Sequence, residues 1–130
     1  MRSIFRHAAW VTTLIGTASL GAGAAETVSY KDDIQPIIQH RCIECHQPGG
    51  KGYEKSGLDL RTYEGIMHGT RYGPVVIPGE PFTSNLIVLI EGRAHASLRM
   101  PQPLPKQIQE LSNQEKNAFR QWIRDGAKNN

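Results

Sequence analysis

The sequence predicts a small all-α fold, and three observations carry that expectation. Short segments with helix start and stop signals follow one another along the chain. A single domain remains once an N-terminal leader is set aside. Both cysteines of the 130-residue chain fall in one pentapeptide, Cys42-Ile43-Glu44-Cys45-His46, around which the helices are arranged.

The first helix is expected where Asp32, Asp33, Ile34, Pro36, Ile37 and Ile38 lead into Cys42. The acids stand early, where the helix dipole favours them, and Pro36 is tolerable only in a first turn. Gln47 to Gly57 is rich in glycine and lysine and reads as an exposed loop. Its glycines lack the preceding strand and the following Lys-Ser or Lys-Thr that a phosphate cradle needs. Leu58-Asp59-Leu60 is a brief extended piece, after which Thr62 caps a short helix through Tyr63, Ile66 and Met67 that stops at Gly69. Gly73 to Gly79 is an apolar crossing bounded by turn formers. Pro81 opens a third helix, with Leu86, Ile87, Leu89 and Ile90 as its apolar face before Gly92. Ser112 and Glu115 make a capping box for a last helix, from about Asn113 to Asp125, ended by Gly126. Phe119, Trp122 and Ile123 lie on one side of it, which predicts packing across the N-terminal helix.

The pentapeptide has the spacing of a c-type haem attachment signature. Two thiols three residues apart can add across the two vinyl groups of one porphyrin, and the adjoining His46 is then held beneath the iron. A CxxC also serves as a dithiol redox pair, but that reading wants a βαβ context that is not seen here. A structural zinc site wants four Cys or His ligands, and His40, His68 and His95 show no finger-like pairing with the cysteines. One haem c is therefore expected, held by Cys42 and Cys45 with His46 on the metal.

Residues 1–25 resemble a secretory signal peptide. Arg2, Arg6 and His7 precede a mainly small and apolar run, Ala8 to Gly21, with cleavage near Ala24 or Ala25. A membrane anchor needs about 20 predominantly apolar residues, and this run is shorter and interrupted by Thr12, Thr13, Thr17 and Ser19. The expected product is a periplasmic or secreted single domain, residues 26–130, with no stable membrane insertion. Cleavage removes Arg2 and Arg6 from 15 Lys plus Arg and leaves 13 against 12 Asp plus Glu. The mature chain is near neutral, and nucleic-acid binding has no support. The hydrophobic content of the full chain, 38%, is modest for its size. Porphyrin burial, at about 25 cal/mol per Å², would supply much of the missing core.

The best candidate for the second iron ligand is Met100 in Arg99-Met100-Pro101. The residue before a proline is restricted to extended conformations, which helps to aim its side chain. Pro103 and Pro105 extend this irregular loop. Met67 and His95 are the competitors, with core or surface placement as the ordinary role of Met67 and a solvated surface role as that of His40. For the haem propionates, Arg61, Arg71, Tyr72, Arg93 and Arg99 are the polar candidates, with Arg99 first because it adjoins Met100. Trp122 is expected near the haem, as core packing first and as part of an electron path second. Lys51, Lys55, Arg61 and Arg71 offer a weakly basic rim, diluted by Glu54, Asp59 and Glu64.

With these residues in view the chain resembles a class I c-type cytochrome, and more narrowly the Planctomycete-type cytochrome c domains. The matching stretches are Asp33-Ile34-Gln35-Pro36-Ile37-Ile38, the haem pentapeptide, Ser56-Gly57-Leu58-Asp59-Leu60-Arg61, Val76-Ile77-Pro78-Gly79-Glu80-Pro81, Met100-Pro101 and Trp122-Ile123-Arg124-Asp125-Gly126-Ala127. The resemblance implies N- and C-terminal helices packed around one haem, His46/Met100 axial ligation, and single-electron transfer between periplasmic redox proteins by a monomer that is not an enzyme. A labile sixth ligand would instead imply a peroxidase-like enzyme or a gas-binding sensor. A subunit of a larger dehydrogenase complex is a further reading. Mitochondrial-type relatives usually place a proline roughly ten residues after the proximal histidine as acceptor for its second nitrogen. Here residues 55 to 58 are Lys55-Ser56-Gly57-Leu58, so that acceptor is left to a backbone carbonyl of this stretch.

Overall fold

A computed structural model describes residues 27–102 and 110–130. The expected leader, and Pro103 and Pro105, lie outside the described residues. The chain opens with a π-helical turn, Tyr30–Ile34, that runs directly into α1 (Gln35–Arg41), with Pro36 in its first turn. The wider turn fits the proline, because Gln35 donates back to the Tyr30 carbonyl while Pro36 has no N–H to offer. Ser29 caps the turn by accepting from the Asp32 amide. The later helices are α2 (Lys51–Ser56), α3 (Tyr63–His68), α4 (Asn85–Ile90), a 3₁₀ turn Ala96–Leu98, and α5 (Asn113–Arg124). Pairing of strand type among the described residues is an isolated bridge between Thr70 and Gly73.

Two boundaries differ from expectation. The glycine-rich stretch after the pentapeptide is helical over α2, closed by Gly57 at φ 76°. The third helix starts at Asn85, not at Pro81. Ser84 is fully buried, and its hydroxyl accepts from the Ile77 amide and donates to the Glu80 carbonyl, so residues 81–83 form a turn held from inside. The Thr62 cap, accepting from Gly65, is found as read.

One core joins these pieces. Ile34 and Ile38, one turn apart on the first helix, meet Phe119, Trp122 and Ile123 of α5 and Ile87 and Ile90 of α4. The alternation Leu58-Asp59-Leu60 puts both leucines inside. The N- and C-terminal helices pack through aromatic rings, with Tyr30 at 5.5 Å from Trp122 and 5.1 Å from Tyr63. Past α5, Gly126 (φ 100°) and Ala127 (φ 50°) reverse the chain, and residues 127–130 fold back on these rings. Trp122 Nε1 donates to the Lys128 carbonyl, and Tyr63 Oη to that of Ala127, both at 2.8 Å. Asn130 closes the joint by accepting from Ser29, Tyr30 and Lys31.

The capping box is complete, with Ser112 and Glu115 each accepting from the other's backbone amide. Removing the hydroxyl as Ser112→Ala is expected to destabilise the protein by about 1 kcal/mol, read as a lower denaturant midpoint at unchanged slope. An unmoved midpoint would mean that the box does not hold α5.

Candidate haem site

The pentapeptide begins where α1 ends. Cys42 is the C-cap and donates to the Ile38 carbonyl at 2.9 Å. The chain then makes one more turn, in which the amides of Cys45 and His46 both donate to the Cys42 carbonyl, at 3.2 and 3.0 Å. Two thiols and an imidazole thus share a single turn, as one porphyrin requires. Two further carbonyls of that turn, those of Cys45 and His46, are held by chain that follows it. Cys45 accepts from the Tyr53 amide of α2 at 2.9 Å, and His46 from the Leu60 amide at 2.8 Å. From the opposite side Arg41 Nε meets Glu115 Oε1 at 3.1 Å and ties the start of the pentapeptide to the start of α5.

Burial holds Cys42 and His46 in their neutral forms. Both cysteines are free thiols. Burial, with Glu115 adding to it and Arg41 opposing, pushes the Cys42 thiol up to about 12, so it stays protonated in the folded chain. Burial also lowers the His46 pKa, against a smaller upward pull from the Leu58 backbone carbonyl, so the ring is neutral and keeps a lone pair for a metal. Its Nδ1 is buried and has no partner in hydrogen-bonding geometry. An orphaned buried nitrogen costs about 1–3 kcal/mol, which a folded chain carries where the ring has another task. Leu58 lies in the stretch from which a carbonyl acceptor was expected. These residues fit a covalently held haem.

Met100 lies outside that turn, after α4 and the 3₁₀ turn in the chain. It is half-buried, packs on the same core as Cys42 and Met67, and donates its amide to the Leu89 carbonyl at 3.1 Å. Arg99 is turned to Glu110, with Nη1 at 2.9 Å from Oε1, and its guanidinium lies along Gly92. The other cationic candidates also have partners. Arg61 forks onto Asp59, Arg71 donates to the Glu54 carbonyl, and Arg93 reaches Glu91 and the Phe82 carbonyl. Tyr72 is 81% exposed. His95 caps the 3₁₀ turn by accepting from Ser97, and His40 is exposed. Trp122 is 1% exposed and engaged with Tyr30, Tyr63 and the Lys128 carbonyl, the contacts of a core residue.

Sequence reasoning missed the supports of the turn: Tyr53, Leu60 and the pair Gly50 and Gly52. A Cβ at Gly50 would lie 2.5 Å from the Cys45 carbonyl oxygen. Three glycines within four residues just after the pentapeptide, Gly49, Gly50 and Gly52, were the available signal of this close approach.

A small all-helical domain with two thiols and a histidine in one such turn has the parts that a c-type haem site needs. Residues 42–103 match the family model of Planctomycete cytochrome C, and over that span the chain is a Planctomycete cytochrome c domain. The match runs from the first cysteine past Met100, and α1 and α5 flank it. Cytochrome c domains hold haem covalently, transfer electrons through it, and are generally extracytoplasmic. No curated protein and no solved structure matches the chain. Among the described residues, no helix is long and apolar enough to cross a membrane.

Proposed function

We propose that the protein is a monohaem electron carrier working as a monomer between periplasmic redox proteins after loss of its leader. In this reading Cys42 and Cys45 hold the haem, and His46 and Met100 fill the axial positions. The observation that carries it is the turn Cys42–His46, with two free thiols beside a neutral, half-buried imidazole. The haem supplies a single electron site, cycling between ferric and ferrous iron.

The chain's part is to keep both axial groups in place. His46 sits on a turn whose carbonyls are hydrogen-bonded by α2 and Leu60. Met100 is tethered to Leu89 and half-buried on the core, so little side-chain freedom remains to be lost on ligation. A thioether ligand favours the ferrous state relative to a second imidazole. Burial favours it too, because the ferric form carries one more positive charge to desolvate. A moderately positive potential follows. Lys51 and Lys55 on the exposed side of α2, with Arg61 and Arg71 nearby in the chain, form the basic rim on which an acidic partner would dock.

The test is Met100→Ala in the haem-loaded protein. Loss of the weak far-red sulfur-to-iron band and new uptake of carbon monoxide by the ferrous form are expected. An unchanged band would remove Met100 from the metal. A wild-type ferrous form that already takes up carbon monoxide would move the function to ligand binding or peroxidatic chemistry.

A further inference from the structure

We infer that Gly52 is a positioning residue for His46: its missing side chain lets α2 close on the imidazole, and this contact sets the plane of the ring. The inference rests on His46 being the proximal ligand. A Cβ on Gly52 would lie 2.8 Å from His46 Cε1, 2.9 Å from Nε2 and 2.9 Å from the Cys45 carbonyl oxygen. Carbon atoms that are not bonded do not approach so closely, so something would have to move.

The backbone is poorly placed to do so. The Cys45 carbonyl is held by the Tyr53 amide at 2.9 Å, and α2 is fastened along its length. Ser56 Oγ donates to the Gly52 carbonyl at 2.7 Å, the Arg71 amide to the Ser56 carbonyl at 2.9 Å, and the Arg71 guanidinium to the Glu54 carbonyl at 3.0 Å. The imidazole is the freer group, since the Leu58 carbonyl exerts only a smaller pull on it and its Nδ1 meets no acceptor in hydrogen-bonding geometry among the described residues. Packing against Gly52 therefore does for the ring what a hydrogen bond does where the second nitrogen is well paired.

Gly52 has no conformational reason to be glycine. It lies inside α2, without the left-handed φ found at Gly49 (85°) and Gly57 (76°). Alanine is the better helix former, so a glycine used only as backbone would be improved by Gly52→Ala. Gly49 is the opposite case: it needs its left-handed φ, and a Cβ there would meet nothing within 4 Å.

The experiment compares wild type, Gly52→Ala and Gly49→Ala as haem-loaded proteins. Covalent haem is scored first, then the hyperfine-shifted haem methyl resonances of the ferric form, which report the plane of the axial imidazole, together with midpoint potential and melting temperature. Gly52→Ala is expected to reorder the methyl shifts and move the potential. Gly49→Ala is expected to lower the melting temperature and leave both unchanged. A Gly52→Ala protein with wild-type shifts and potential and a raised melting temperature would overturn the inference. Should Gly52→Ala take up no haem, the ferrous wild type decides, because a nuclear Overhauser contact between Gly52 Hα and His46 Hε1 is required and its absence overturns the inference. A wild type without covalent haem overturns the ligand reading of His46 itself, and this inference with it.

Discussion

Replacing Cys42 and Cys45 together by alanine is expected to leave the protein without covalently bound haem. On a denaturing gel the haem stain should vanish. The reason is local and complete: these are the only two thiols of the chain, both are free, and both sit on the turn that carries His46. No other cysteine can substitute. A second effect should accompany the first. The chain is short, its hydrophobic content is modest, and a chain of this size buries a limited share of its surface. Haem loss removes apolar contact worth about 25 cal/mol per Å², so the variant should melt well below wild type or lose a cooperative transition. A variant that keeps its stain would place the attachment elsewhere.

Trp122→Ala is expected to destabilise the protein by about 3–5 kcal/mol, a large part of the roughly 5–15 kcal/mol typical of a domain. The ring is 1% exposed and packs with Tyr30 and Tyr63 at 5.5 and 6.5 Å. It also holds the Lys128 carbonyl at 2.8 Å. The aromatic joint between the two ends of the chain therefore loses its largest member and one of its ties to residues 127–130. Trp122→Phe keeps much of the area and loses the indole donor, so a loss of about 1–3 kcal/mol is expected. Denaturant midpoints at constant slope would measure both. A Trp122→Ala protein with a wild-type midpoint would contradict the joint.

The parts legible in the sequence were those with local causes. The capping box at Ser112 and Glu115, the Thr62 cap, the approach through Ile34 and Ile38 to Cys42, and the stops at Gly69 and Gly126 all follow from residue type and spacing, and all are present. The pentapeptide was legible because two thiols and a histidine at that spacing have few other uses. What could not be read depended on distant chain. The α2 helix hid behind Gly50 at its start and Gly52 within it, which approach Cys45 and His46 closely. The start of α4 was displaced because Ser84 is buried and bonded to Ile77 and Glu80 and does not cap the helix. Arg99 looked free beside Met100, and its partner Glu110 lies eleven residues on. Tyr30 and Tyr63 form the joint with Trp122 only once both ends of the chain are folded together.

The most direct test of the central claim, a covalently anchored single-electron site on the Cys42–His46 turn, is an optical redox titration of the purified haem-loaded protein with carbon monoxide added at the reduced end. The account predicts low-spin ferric and ferrous haem spectra that interconvert in one reversible one-electron step at a moderately positive potential, with no uptake of carbon monoxide. Absence of any haem spectrum would contradict the account at its root, and a high-spin ferric form that takes up carbon monoxide on reduction would contradict electron carriage.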